Sequence, residues 1–376
     1  MLRFLTAGES HGKALTVVID GLPAGVSISE KFIAEEMLKR KIGVGSGARQ
    51  KMEDDGVEIL SGLRGGKTIG SPLSMLIKNK DFENCGDALG GPVLCPRPGH
   101  ADLAGVQKYG FPDARTVLER ASARETAARV AAGAIFKQVL LEFGVKIASH
   151  TVQVGTAMIE YFCKKYGFEE VGKSYKNFPE TRCINDKMDK AVQKLVDGLA
   201  GDTLGGAIEV WASGVPAGLG NYSQWDTRID GRIAQAIMSI QSVKGVEIGD
   251  GFDGSGEMGS EFHDEIFYSN AKGFYRKTNH AGGVEGGITN GMPIVVRAHL
   301  KPISTLLKPL SSVNLKTYKK ELASVERSDF CVVPRAGVVC EAMLAFVLLD
   351  EMLSKFGGDN LSDIKNSYVR YLKRIK

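Results

Sequence analysis

The sequence predicts an α+β fold in which helices lie between antiparallel sheets, with one strand–turn–helix unit used twice. Three observations carry this. Asp20-Gly21-Leu22-Pro23-Ala24-Gly25 follows the β-branched run Leu15 to Ile19 and precedes a helical stretch. Ser213-Gly214-Val215-Pro216-Ala217-Gly218 follows a second strand over residues 207–212 and again precedes a helix. Between them, a segment rich in alanine and leucine after Ser122 reads as a helix buried between other layers. A hairpin-and-helix unit repeated in one chain sandwiches its helices between sheets. The two turns also admit a plainer reading, one favoured turn met twice.

Along the chain, Ser29 caps a predicted helix that runs to Arg40, with Phe32, Ile33 and Met37 on one side. Val57 to Leu60 and Leu73 to Ile77 read as strands. Ser122-Ala123-Arg124-Glu125 reads as a capping box, and Gly144 as the stop of the helix it opens. Residues 159–200 are more polar and read as a surface insertion around Phe178-Pro179-Glu180-Thr181, with a helix at 186–198. The glycine-rich stretch 249–261 reads as a long loop, mobile before a ligand binds. A strand at 294–299 and an apolar helix at 338–354 follow. The basic tail, 357–376, reads as a solvated face or frayed end. One domain over 1–376 accommodates all of this.

The 376 residues carry a formal net charge of +4, too small an excess to argue for nucleic acid but compatible with a local cationic pocket for an anionic metabolite. The 46 glycines exceed the usual share of about 7%, which points to tight turns and pockets lined by backbone. Six scattered cysteines form no C-x-x-C, so neither zinc nor a redox pair is expected, and reduced thiols of a cytoplasmic protein are. The opening MLRFLTAGESHG has no apolar run of signal-peptide length, and no stretch of about 18 apolar residues occurs, so no membrane partner is expected.

Seven motifs could carry chemistry. Gly8-Glu9-Ser10-His11-Gly12 holds a histidine between small neighbours, open to a ligand and able to move protons near neutral pH. Lys39 to Arg49 is cationic and glycine-rich, lacks the P-loop pattern, and suits carboxylate or phosphate recognition. Pro96 and Pro98 stiffen the chain around Arg97, with His100 and Asp102 close behind. Glu119 to Thr126 places Arg120 and Arg124 at a helix N-terminus, a natural anion site, unless the two arginines merely pair with Glu119 and Glu125. Asn279-His280-Ala281-Gly282-Gly283 with Gly286-Gly287, Lys301-Pro302-Ile303-Ser304-Thr305, and Arg327-Ser328-Asp329 complete the set. No metal constellation and no G-x-S-x-G nucleophile motif is present.

In this order the motifs resemble the chorismate synthases. TAGESHG with DGLPAG, RPGHAD, ERASARET with RVAAGA, and RSDFCVVPRAGVVCEAM are similar to that family's signatures, as are SGVPAGLG, IQSVKGVEIGDGF, NHAGG and LKPISTL. The resemblance spans about residues 3 to 350. It implies a β-α-β sandwich with pseudo-two-fold symmetry, assembled as a homotetramer. It implies reduced FMN as cofactor and 5-enolpyruvylshikimate 3-phosphate as substrate. The reaction is a 1,4-elimination of phosphate with loss of a ring proton, in which reduced flavin lends an electron and recovers it.

By the same resemblance, His11 holds a proton near the flavin ring, His100 assists the leaving phosphate, and Asp329 helps flavin N5 receive the ring proton. Arg40, Arg49, Arg97 and Arg124 hold the substrate's anionic groups. FMN falls to Arg120, Ala121, Ser122, Gln241, Ser242, Gly286, Lys301, Pro302, Ile303, Ser304, Thr305 and Arg327, with Gln241 and Ser242 expected to use backbone atoms. One departure is clear: the family's glycine loop reads like GYGRGGR, whereas here it is GVGSGAR, with Ser46 in place of an arginine. NADPH is a candidate indirect reductant of the flavin, near Arg40 and Ser46, although no separate reductase domain is visible. A phosphate-transfer enzyme would need a nucleotide motif or a carboxylate metal cluster. A non-catalytic anion binder would not need His11, His100 and Asp329 as a set.

Overall fold

Leu15, Val17 and Ile19 alternate with Thr16 and Val18, so a strand through them puts three apolar side chains on one face. The computed structural model of the protein describes residues 1–47, 54–80, 82, 91–159, 166–326 and 329–375, and it places this strand at the heart of a four-stranded antiparallel sheet. In chain order come β1 (Arg3–Ala7), β2 (Ala14–Asp20), α1 (Glu30–Lys41), β3 (Val57–Ser61), a short β4–β5 hairpin (Leu63–Arg64, Lys67–Thr68) and β6 (Leu73–Lys78). The sheet order is β1-β2-β6-β3. Leu15, Val17 and Ile19 stand opposite Ile77, Met75 and Leu73, and all six are buried.

Three helices follow: α2 (Asp102–Tyr109), α3 (Arg115–Ala121) and α4 (Thr126–Leu141). Then come β7 (Lys146–Val154), β8 (Ala157–Met158), α5 (Phe168–Asn177), α6 (Asp186–Asp197), β9 (Gly206–Ser213), α7 (Ile229–Met238) and β10 (Val243–Ile248). Hairpins β11–β12 (Ile266–Ser269, Gly273–Arg276) and β13–β14 (Val284–Glu285, Ile288–Thr289) precede β15 (Ile294–Leu300). Strands β16 (Ser311–Val313) and β17 (Lys320–Leu322) and helices α8 (Val333–Phe356) and α9 (Leu361–Ile375) complete the chain. The second sheet is antiparallel, in the order β10-β15-β9-β7-β8.

The layers follow from burial. Almost every side chain of α4 is buried because β1, β2 and β6 cover one side and α8 the other, and α8 in turn packs on β7 and β9. Helix α4 can lie this close to α8 because of Gly133, where a Cβ would stand 2.2 Å from the Ala342 Cβ. Phe4, Phe136 and Phe346 interlock across the layers with ring centroids 5.0 to 5.8 Å apart. The molecule is thus mixed helix and sheet, as expected, with long helices between two antiparallel sheets.

The two Pro-Ala-Gly turns carry the same hydrogen bonds. Thr68 Oγ1 donates to the Pro23 carbonyl (2.6 Å) and accepts from Val26 N–H (2.9 Å), while Gly25 N–H donates to Thr68 O (2.8 Å). Thr289 Oγ1 donates to the Pro216 carbonyl (2.7 Å) and accepts from Leu219 N–H (2.8 Å), while Gly218 N–H donates to Thr289 O (2.7 Å). Gly25 and Gly218 both take a positive φ, 90° and 94°, which glycine adopts without a Cβ clash.

Four expectations are corrected. Ser122 does not open a capping box: its Oγ accepts from Arg124 N–H at a single 3-10 turn, and Glu125 is taken up by Thr6, Arg129 and Gln241. The polar segment after residue 159 is no surface insertion, because Met188, Val192 and Val196, spaced one helical turn apart, enter the main core from α6. Residues 251–262 include two single-turn helices, Gly251–Gly254 and Gly259–Phe262, rather than one long loop. The basic tail is no frayed end but the regular helix α9, whose Ile364, Tyr368 and Tyr371 pack on the core while its charges form the solvated face that was the other expectation. No described helix is long and apolar enough to cross a membrane.

Candidate active site

The Gly8–Gly12 turn joins β1 to β2 and is held from two sides. Asn79, just past β6, donates from Nδ2 to the carbonyls of Glu9 (3.1 Å) and Gly12 (2.7 Å). Glu119 on α3 accepts from His11 N–H (2.7 Å) and meets His11 Nδ1 at 2.8 Å. Burial alone would raise the Glu119 carboxyl, but the hydrogen bonds and charge of His11 hold it below its ordinary value. The His11 ring is thereby fixed through Nδ1, which leaves exchange with a ligand to Nε2.

The second histidine is built in the same way. His100 Nδ1 lies 2.5 Å from Asp102 Oδ1, and Arg97 donates to both oxygens of that carboxylate, from Nε at 2.8 Å and Nη2 at 3.0 Å. Asp102 is fully buried, which would raise its pKa, yet His100 and Arg97 hold it well below the usual carboxylate range. Arg97 also donates to Thr305 Oγ1 (2.8 Å), so the rigid Pro96–Pro98 segment is tied to the 301–305 loop.

Two further guanidinium groups share Asp55. Arg40, at the end of α1, meets one of its oxygens at 2.9 Å, and Arg124, on the 3-10 turn before α4, bonds to the other. Burial pushes Arg40 down to about 10, partly offset by Asp55. Asp55 is itself buried, but the two arginines hold its carboxyl below the ordinary value. Arg124 Nε donates to Asn79 Oδ1 (2.9 Å), which links this group to the His11 turn.

Asp329 stands just before α8. It accepts from Gly47 N–H (2.6 Å) and pairs with Arg335 at 2.7 Å. The glycine loop closes on this corner: Phe330 N–H donates to Gly45 O, and a Cβ at Gly43 would overlap the Arg335 side chain.

Of these groups, His11, His100, Arg40, Arg97, Arg124, Asp329 and Arg335 line one cavity of about 400 Å³. Of the expected residues, His11, His100, Asp329, Arg40, Arg97, Arg124, Ala121, Ser122, Gln241, Ser242, Lys301, Ile303, Ser304 and Thr305 are in its wall. Four are not. Ser46 is turned inward, its hydroxyl donating to the Gly43 carbonyl. Arg120 is drawn to β1, where it donates to the carbonyls of Gly8 (3.1 Å) and Thr6 (2.9 Å). Gly286 sits in the turn between β13 and β14, and Pro302 is outside the wall although both its neighbours are in it. Arg49 and Arg327 lie outside the described residues. The simple pairing of Arg120 and Arg124 with Glu119 and Glu125 does not occur; Glu125 instead pairs with Arg129.

Arg335 was missed by sequence reasoning. It is buried on the first turn of α8, lines the cavity, and its Nε meets no acceptor among the described residues. Its only signal was its place in the first turn of a long apolar helix opened by a proline, where side chains lean toward the helix N-terminus. Gln241 Oε1 is likewise buried without a donor among the described residues. Four guanidinium groups with Lys301 suit a small polyanion, and two carboxylate-held histidines can move protons beside it.

Fold and site together define an α+β enzyme of anionic metabolites. The family model for chorismate synthase matches residues 2–353. Chorismate synthase of Sulfurihydrogenibium sp. (strain YO3AOP1) is 52% identical, with 100% of this chain and 99% of that protein covered. That of Aquifex aeolicus (strain VF5) is 50% identical, with 100% and 98% covered. A solved structure described as "Crystal Structure of Chorismate Synthase" superposes with a TM-score of 0.82 at 43% identity, covering 100% of this chain and 98% of that one. The chain belongs to the chorismate synthase family and is a carbon–oxygen lyase of aromatic amino-acid biosynthesis, in the shikimate pathway.

Proposed function

We propose that the cavity binds 5-enolpyruvylshikimate 3-phosphate beside reduced FMN and eliminates phosphate in the 1,4 sense to give chorismate. The observation that carries this reading is the pairing of two fixed histidines with four guanidinium groups in one cavity. The substrate's two carboxylates and phosphate need several cations to replace their water. Arg40, Arg97, Arg124 and Arg335 supply them on this side of the glycine loop. Arg49 would add to them, and Ser46, bonded to its own loop, would not.

The wall around Gln241, Ser242 and residues 301–305 fits a flavin: the buried, undonated Gln241 Oε1 suits a ring N–H, and Lys301 and Ser304 suit polar groups at the rim. Ala121 and Ser122 extend that wall, and Arg327 would join it. Reduced FMN bound there would lend an electron to the substrate and recover it, with no net redox change. His11, fixed by Glu119, keeps a proton at Nε2 toward the flavin side. His100, held in Asp102's hydrogen bond, donates toward the departing phosphate. Asp329, braced by Gly47 and Arg335, steers the ring proton as it leaves. NADPH would serve only as an indirect reductant.

We also infer that the two halves arose by internal duplication. The support is the like order of strands, β1-β2-β6-β3 against β7-β9-β15-β10, with Thr68 and Thr289 in the same bonds. A cytoplasmic homotetramer of single-domain chains is the assembly this reading expects.

The test is to mix the protein anaerobically with chemically reduced FMN and 5-enolpyruvylshikimate 3-phosphate and follow chorismate absorbance and phosphate release. Stoichiometric appearance of both, absent with oxidised FMN, is the expected result. Flavin binding without product would remove the assignment.

A further inference from the structure

A second cavity, of about 300 Å³, lies where α1, the C-terminal half of α4, the start of β7 and α5 meet, and it shares no lining residue with the first. Part of its wall is apolar and aromatic, with Phe32, Phe168 and Tyr175. The rest is charged. Lys137 is held between Glu36 and Glu341, and Lys39 pairs with the other oxygen of Glu36 at 2.6 Å, so these four satisfy one another. Arg182 does not fit that account. It is 1% exposed, its backbone has a φ of 52° that side chains rarely adopt, and its guanidinium lies 5.1 Å from the Tyr175 ring centroid. One of its terminal nitrogens donates to the Lys39 carbonyl. Its Nε is buried and meets no acceptor among the described residues.

A buried guanidinium N–H without an acceptor is costly, and such groups in folded proteins generally have a partner. Lys39, Lys146 and Lys176 also line the cavity, so five cationic side chains there face two carboxylates. Helix α5 adds an independent observation. Gly172 lies in its middle and on the cavity wall, with no atom within 4 Å of where a Cβ would be. Glycine weakens a helix interior, and here its lack of a side chain keeps the opening clear.

We propose that this cavity is a second ligand site, which takes a small carboxylate with an aromatic body. The acid group completes Arg182 in a charge-assisted hydrogen bond, the lysines add field, and the ring lies against Phe168 and Tyr175. The volume suits one ring with a short acidic side chain.

The test titrates 3-phenylpropionate and its neutral counterpart 3-phenylpropanamide into the full chain by calorimetry. The carboxylate is expected to bind saturably, and the amide about tenfold more weakly or not at all. Gly172→Phe fills the opening with a better helix former, so it should keep the melting temperature and lose the binding. Lys146→Glu with Lys176→Glu, both at exposed positions, should weaken binding while the protein stays folded. No saturable binding up to the carboxylate's solubility limit overturns the proposal, as does equal binding of the amide. Unchanged binding in Gly172→Phe also overturns it, because the probe then sits elsewhere, the first cavity included.

Discussion

At His11 and His100 one ring nitrogen is committed to a carboxylate that is itself held ionised, so each imidazole has one orientation and one nitrogen for exchange. His11→Ala and His100→Ala should each retain flavin binding and lose turnover by about 10²–10⁴-fold, the usual worth of a positioned acid or base. Flavin titration together with single-turnover rates checks this, and normal rates in both variants would remove the assigned roles. Asp55 works differently, as the shared counter-charge of two buried arginines. Its folded pKa lies below the ordinary 3.8, so its contribution to stability is present above that value and lost as pH falls through the folded pKa. Asp55→Asn should therefore cost about 3–5 kcal/mol at neutral pH and progressively less in acid, measured as denaturant midpoints across pH. The histidines and most of the arginines were legible as types in short motifs. Asp55 and Arg335 were not, because a residue that acts by meeting partners far along the chain leaves no local pattern.

On the scale of elements, three helices and a strand are tied by one buried cluster. Lys137 of α4 sits between Glu36 of α1 and Glu341 of α8, and Ser149 of β7 donates to Glu341 (2.5 Å). Lys137→Met should destabilise by about 3–5 kcal/mol, because it strands two buried carboxylates. Replacing Glu36 and Glu341 by methionine in the same chain should restore most of that loss; equilibrium denaturation of both variants decides it. Strands β2 and β6 were legible because apolar residues alternate along them, β9 because a short β-branched and aromatic run ends in a Pro-Gly turn, and helices α1 and α4 because a capping serine opens one and alanine and leucine fill the other. The segment after residue 159 and the tail were misread for one reason. Helices α6 and α9 bury a single narrow stripe, such as Met188, Val192 and Val196, under a mostly charged surface, and composition outweighed spacing. Helix α7 was expected after the second Pro-Ala-Gly turn, though without bounds.

Across the whole molecule, the layered architecture was foreseen from two like turns and one alanine-rich helix. Which sheet each strand joined was not, since strand order depends on pairings between distant residues. The pairing pattern has a practical consequence. Every strand of the first sheet lies before residue 79, and every strand of the second lies between 146 and 300. The α4–α8 contact and the charged cluster join the halves, and the reactive cavity draws His11, Arg40, Arg97, His100 and Arg124 from one and Gln241, Lys301, Asp329 and Arg335 from the other. Two separately made polypeptides, divided at Gly144 between α4 and β7, should then each be silent alone and regain turnover when mixed, with a rate that follows their concentrations. The enzyme could in that way serve as a two-piece reporter, its product signalling that whatever is fused to the halves has come together.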